Sequence, residues 1–167
     1  MKKITLTHEI DCSEERFWDV FFDEGFNTSL FREHLGFPSF ETVELSKDDG
    51  GAVKRTIKAV PKMDVPKPLK KIFGDSIGYQ ESGTFDPSTK TWSWKLQTHT
   101  MPDKLRTEGT VRCEKISDTK VRRVAIIELE AKVFGVGGLI ESTTETQMRK
   151  GWDDSAAYMN QWVKKNG

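Results

Sequence analysis

The chain has 167 residues, enough to bury a sizeable core, and no proline-, glycine- or serine-rich stretch marks a linker, so residues 1–167 read as a single domain. Lys plus Arg and Asp plus Glu both total 26, a formal net charge of zero, which excludes the global positive field of a nucleic-acid binder and leaves any charge-based function to a local patch. Cys12 and Cys113 lie far apart without CxxC spacing, and His8, His34 and His99 show no ligand spacing, so free buried thiols are expected, and neither a metal nor any other cofactor.

Met1-Lys2-Lys3 has the form of a signal-peptide start, but Thr5, Thr7, His8 and Glu9 interrupt the apolar run such a peptide needs. No later stretch approaches the ~20 apolar residues of a membrane span, so the expectation is a soluble, cytoplasmic protein. Ile4 to Ile10 alternates apolar and polar residues and reads as a half-buried strand with Ile4, Leu6, His8 and Ile10 on one face. Asp11 with Glu14 has the spacing of a capping box and opens a helix that buries Phe17, Val20 and Phe21 and stops at Gly25. Asn27 or Thr28 caps a second short helix through Leu30, Phe31 and Leu35.

From Phe40 to Val133 the period changes to two. Residues 40–47 and 52–60 flank Asp48-Asp-Gly-Gly51 as a hairpin, residues 77–85 and 91–98 form a second, and residues 105–116 and 120–133 a third. In the last strand Ala125, Ile127, Leu129, Ala131 and Val133 alternate with mostly charged residues, the pattern of an antiparallel sheet covered on one face. After Gly135-Val-Gly-Gly138, the stretch Ile140 to Asn166 reads as one amphipathic helix. Its stripe is Ile140, Thr144, Met148, Trp152, Ser155, Met159, Trp162 and Val163. A helix of about 26 residues runs roughly 39 Å, so its partner must be a whole sheet.

The chain resembles the START-like (helix-grip, SRPBCC) superfamily, which includes lipid-transfer domains, plant pathogenesis-related ligand carriers and polyketide cyclases; within it the likeness is to a bacterial family of uncharacterised START-like proteins. The resemblance is carried by Ile72-Phe-Gly-Asp75 leading into Tyr79-Gln-Glu-Ser-Gly-Thr-Phe85, by Val133-Phe-Gly-Val-Gly-Gly-Leu-Ile-Glu141, and by Tyr158-Met-Asn-Gln-Trp162. It implies an α+β helix-grip fold: a curved, seven-stranded antiparallel sheet wrapped around a long C-terminal helix, with two short helices after the first strand and a cavity between sheet and helix. It carries over no catalytic signature.

The candidate ligand-binding residues are those on faces turned toward that cavity. Ile127 and Leu129 mark the inner face, and matching parity assigns Trp92, Trp94 and Leu96, Tyr79 and Glu81, and Arg55 to the same side. Met148, Trp152 and Met159 face them from the helix, where Gly151, Ser155 and Ala156 leave room. The aromatic residues suit either a platform for a flat apolar ligand or plain core packing. Arg55 and Glu81 suit either a structural ion pair set opposite one another or a receptor for an acidic head group.

The connection at 61–74 combines Lys62, Lys67, Lys70 and Lys71 with Leu69 and Phe73. It reads as a cavity lid or a transient contact with an anionic membrane, or else as a solvated loop with its apolar residues tucked in. His99 and Met101 lie in a second candidate lid. No Ser/His/Asp order, HExxH, P-loop or GxGxxG appears, and no catalytic residue is assigned. The leading expectation is binding or transport of a small hydrophobic ligand by a monomer. A protein-interaction module with a filled core and a cyclase-like or hydrolase-like enzyme stand as alternatives.

Overall fold

A computed structural model describes residues 1–167. Its sheet comprises β1 (Lys2–Ile10), β2 (Ser39–Lys47), β3 (Val53–Val60), β4 (Tyr79–Asp86), β5 (Thr91–Thr98), β6 (Leu105–Ser117) and β7 (Lys120–Ala131). The order is β1-β7-β6-β5-β4-β3-β2 with every pair antiparallel, so the three expected hairpins are present and the first strand closes the far edge against the last. Strand parity fixes the inner face. Leu6, Ala125, Val111, Trp92, Phe85 and Val53 stand in register across six strands, all buried, and form the floor of the core.

Between β1 and β2 lie α1 (Glu14–Phe21), α2 (Glu24–Thr28) and a π-helical turn at Ser29–His34. The caps differ from expectation. Ser13, not Asp11, caps α1 by accepting from the Arg16 amide at 3.2 Å, because the Asp11 amide is drawn to Asn160 Oδ1 at 2.8 Å and stays in the link from β1. Gly25 is not a stop but sits inside α2, whose cap Asp23 accepts from the Phe26 amide at 2.7 Å. A side chain at Gly25 would begin 3.1 Å from that carboxylate, so the glycine makes room for the cap. Asn27 caps nothing; its buried amide donates to the Phe21 and Asp23 carbonyls and ties α2 back to the end of α1.

The long helix α4 spans Gly137–Asn166, three residues earlier than the stripe implies, and β7 stops at Ala131, short of Val133. A Cβ at Gly137 would lie 2.5 Å from the Ala131 carbonyl oxygen, so a glycine permits the tight turn from strand into helix. Ala156, Met159 and Val163 join the main core, while Ile140 joins a satellite core under α3 (Lys67–Phe73). α3 is a full helix rather than a loop. Leu69 and Phe73 are buried with Val65 and Ile140, so the apolar half of the 61–74 segment is tucked in, while its four lysines, Asp64, Pro68 and Gly74 face solvent. No helix is long and apolar enough to cross a membrane.

Candidate functional site

Between the inner face of the sheet and α4 lies a cavity of about 640 Å³. Ile140, Thr144, Met148, Gly151, Trp152, Ser155 and Met159 line it from one face of α4, Tyr79, Glu81, Trp92, Trp94, Leu96 and Leu129 from the sheet, and Phe26, Leu30 and Phe31 from the helical segment after β1. A concavity of similar size on the opposite face of the sheet is floored by Lys54, Thr56, Ser82, Lys95, Glu108 and Glu128, a solvated trough without an apolar wall. The inner cavity combines apolar walls with a few polar groups, the character of a small-molecule site.

Two glycines set the shape of its wall. Trp94 faces Gly83 on one side and Gly109 on the other. A Cβ at Gly109 would lie 2.9 Å from Trp94 Cζ2, and one at Gly83 would lie 2.7 Å from Trp92 Cη2. Both indoles therefore lie over glycine backbone, close against the sheet, and Trp94 stacks on Trp152 of α4 with ring centroids 6.4 Å apart. On the helix side, a Cβ at Gly151 would meet nothing within 4 Å.

The polar pole of the cavity is built on Arg55. Its guanidinium is buried, stands 4.9 Å from the Phe21 ring centroid and 5.0 Å from that of Trp92, and Nη1 donates to the Phe21 carbonyl at 2.9 Å. Phe21 ends α1, so the cation meets the negative end of a helix dipole as well as two aromatic faces. Its only carboxylate is Glu81, at 3.7 Å from Nη2, and its Nε has no partner. The two are not opposite one another: Arg55 pairs in register with Gly83 and Glu81 with Ile57, which leaves the ion pair diagonal and loose. Burial pulls the Arg55 pKa down, with Glu81 opposing. Burial likewise pushes the Glu81 carboxyl above the usual carboxylate range, Arg55 only partly offsetting it. Tyr79, one step further along β4, lines the cavity with its phenol held neutral by burial and by Glu81.

A second buried cation was not singled out from the sequence. Arg123 lies on the inner face of β7, 2 % exposed, opposite His8 and Cys113. Its guanidinium donates to the Trp152 carbonyl at 2.8 Å and to Ser155 Oγ at 3.1 Å, meets His8 Nδ1 at 3.0 Å, and stacks 4.8 Å from the Trp152 ring. His8 Nε2 in turn reaches Asp153 at 2.6 Å. With no carboxylate in contact, desolvation lowers the Arg123 pKa to about 10. The cluster fastens β1 and β7 to the middle of α4. Parity with Ala125 and Ile127 on β7 carries the signal that puts Arg123 on the inner face.

Of the residues assigned to the cavity from sequence, Arg55, Tyr79, Glu81, Trp92, Trp94, Leu96, Leu129, Met148, Trp152 and Met159 line it. Ile127 does not; it is wholly buried in the core. Among the lid candidates only Lys62 lines the cavity, whereas Lys67, Lys70 and Lys71 point to solvent, Leu69 and Phe73 are buried on the inner face of α3, and His99 and Met101 follow the end of β5 and are not part of the lining. Cys12 is buried and Cys113 only partly so; both thiols are free, and burial holds the Cys12 pKa at about 11. No group of three or more His, Cys, Asp or Glu gathers as a metal site would.

Among solved structures the chain is similar to the Zhui aromatase/cyclase from Streptomyces sp. R1128, with a TM-score of 0.70, 9% identity and coverage of 98% of this chain and 94% of that one. It is also similar to a START superfamily protein from Mycobacterium smegmatis, with a TM-score of 0.63, 12% identity and 99% of each chain covered. A third is norcoclaurine synthase from Thalictrum flavum in complex with dopamine and hydroxybenzaldehyde, with a TM-score of 0.67, 17% identity, and 99% and 88% covered. At these identities the likeness shows the shared START-like helix-grip fold. No curated protein matches the chain. The model of the family described as "Protein of unknown function (DUF2505)" matches residues 5–163, and the chain belongs to that family.

Proposed function

We propose that the protein binds and carries a small hydrophobic ligand with an acidic head group, its apolar body in the cavity between the sheet and α4, beside the stacked Trp94 and Trp152, and its head at Arg55. The observation that carries this reading is the state of Arg55. A buried guanidinium normally holds a carboxylate closely, because an unpaired buried charge is costly. Here the nearest carboxylate stands off at 3.7 Å and leans toward its neutral form, while the α1 carbonyl and the aromatic rings keep the cation in place. An incoming carboxylate would find a positioned partner. The volume of about 640 Å³ lies within the ~300–1,000 Å³ usual for ligand sites, and a filled-core interaction module has no use for it. Native mass spectrometry of the purified protein tests the reading: a copurifying or added C10–C16 acid should remain bound in the gas phase, and a protein that is empty under every lipid or aromatic acid offered would overturn it.

One observation favours a second reading. Glu81, with its raised pKa, lies beside Tyr79 in the cavity lining, the arrangement of a proton donor and acceptor acting on a bound carbonyl or phenolic compound. The similar folds named as a cyclase and as norcoclaurine synthase are consistent with such chemistry. Recovery of a bound compound in altered form, with the alteration absent in Glu81→Gln, separates turnover from carriage.

A further inference from the structure

The most exposed large apolar side chain of the protein is Phe134, fully open to solvent in the short link between β7 and α4. The link is firmly held. The Lys132 amide donates to the Lys104 carbonyl at 2.8 Å, the Gly137 amide donates to the Val133 carbonyl at 2.9 Å, and Val133 and Val136 pack on the satellite core of Leu69, Phe73 and Ile140. The two valines that flank Phe134 are thus anchored inward, and Gly135, at φ +79°, turns the chain between them. Leu139, five residues on in the first turn of α4, is also exposed. Folding leaves these two side chains out although a buried apolar cluster lies directly beneath.

The same end of the molecule is basic. Val133 and Val136 pack on the same satellite core as Leu69 and Phe73, which brings α3, with Lys67, Lys70 and Lys71 exposed, to the same end as the Phe134 link. The Lys104–Lys132 backbone pairing adds two more cations; Lys132 reaches Glu130 at 3.2 Å and Lys70 reaches Asp75 at 4.0 Å. Segments 61–76, 99–104 and 132–139 hold six lysines and three aspartates, three net positive charges on a chain whose total is zero. This end also carries the rim of the cavity, since Lys62, Met63, Ile77, Leu105 and Ile140 line it.

We propose that Phe134 and Leu139 form a tip that inserts into the interface of an anionic lipid bilayer, with the surrounding lysines against the headgroups. A bilayer fits better than a protein partner. One protruding ring on a glycine-bearing turn, ringed by long flexible cations, suits a fluid interface, whereas a stable protein contact needs roughly 800 Å² per partner with an apolar centre. The surface stands on its own exposed residues and holds whether or not the cavity carries a ligand; if it does, docking brings the rim to the membrane.

Cosedimentation of the full chain with sucrose-loaded vesicles tests the proposal, using phosphatidylcholine alone and phosphatidylcholine with about one third phosphatidylserine. The protein should partition onto the anionic vesicles and not onto the neutral ones. Phe134→Ser should lower the partition coefficient about tenfold at an unchanged melting temperature, as a solvent-exposed ring predicts. Lys70→Glu with Lys71→Glu should lower it by at least a further fivefold per residue. Equal recovery with both vesicles, recovery with neither, or binding indifferent to Phe134→Ser would overturn the proposal, and the last two would leave Phe134 as a contact for a protein.

Discussion

Arg55 and Glu81 meet diagonally across β3 and β4, Nη2 to Oε1 at 3.7 Å, because Arg55 is in register with Gly83 and Glu81 with Ile57. The offset gives Glu81 a weak hold on the cation and a carboxyl whose pKa is raised by burial. An acidic ligand that takes Arg55 removes the opposing influence and raises the Glu81 pKa further, so over the pH range between the two pKa values the complex holds a proton that the empty protein has lost. Affinity for a carboxylate ligand should therefore rise as pH falls through that range, by less than tenfold per pH unit for one linked proton. Glu81→Gln should bind the same acid more tightly than the parent on the alkaline side of that range and lose the slope. Calorimetric titration at several pH values reads both.

Gly151 offers a test that separates binding from stability. It lies mid-helix with open space where a Cβ would stand, so Gly151→Ala should stabilise the fold by about 0.5–1 kcal/mol. Gly151→Phe directs a ring into the cavity and should weaken ligand binding at least tenfold while leaving the chemical-denaturation midpoint at or above that of the parent. Loss of stability in Gly151→Ala would show that the helix packs more closely there than the geometry indicates.

Gly83 and Gly109 should be intolerant of any side chain. An alanine at Gly109 would press on Trp94, and one at Gly83 would sit 2.7 Å from both the Ser93 carbonyl oxygen and Trp92. Each substitution should cost about 1–3 kcal/mol of stability, the usual range for overpacking. Indole displacement into the cavity should accompany it, seen as altered tryptophan emission and weaker binding. Urea denaturation and fluorescence titration of the two variants decide the point.

Arg123 is expected to act on the fold and not on the ligand. Arg123→Met removes the donor that Trp152 O and His8 Nδ1 receive, and should destabilise by about 1–3 kcal/mol, the relief of a desolvated cation limiting the loss. Discrimination between a fatty acid and its alcohol should be unchanged. A variant that loses that discrimination would move the head-group site from Arg55 to Arg123.

Much of this site was legible in the sequence because strand parity leaves little choice. Once Leu129 faces inward, register places Leu96 and Glu81 on the same side, and the three- and four-residue steps of α4 name its cavity face. The caps were not legible, since Asp11 and Ser13 are both good capping residues and the choice falls to Asn160, about 150 residues away in sequence. Lys67 to Phe73 read as a loop because Pro66 and Pro68 suggested one; the prolines instead sit at the helix start, where no amide partner is lost. The diagonal set of Arg55 and Glu81 depends on how residues 61–78 return the chain, which residue types alone do not fix.

The most direct test compares dodecanoic acid with dodecanol, by calorimetry at pH 8, on the parent protein and on Arg55→Met, with urea denaturation of each as a control for folding. A head group seated on Arg55 predicts that the parent binds the acid at least tenfold more tightly than the alcohol, and that Arg55→Met abolishes the preference while keeping the alcohol affinity within about threefold. Equal affinities for acid and alcohol in the parent, or a preference that survives in a folded Arg55→Met, would contradict the account.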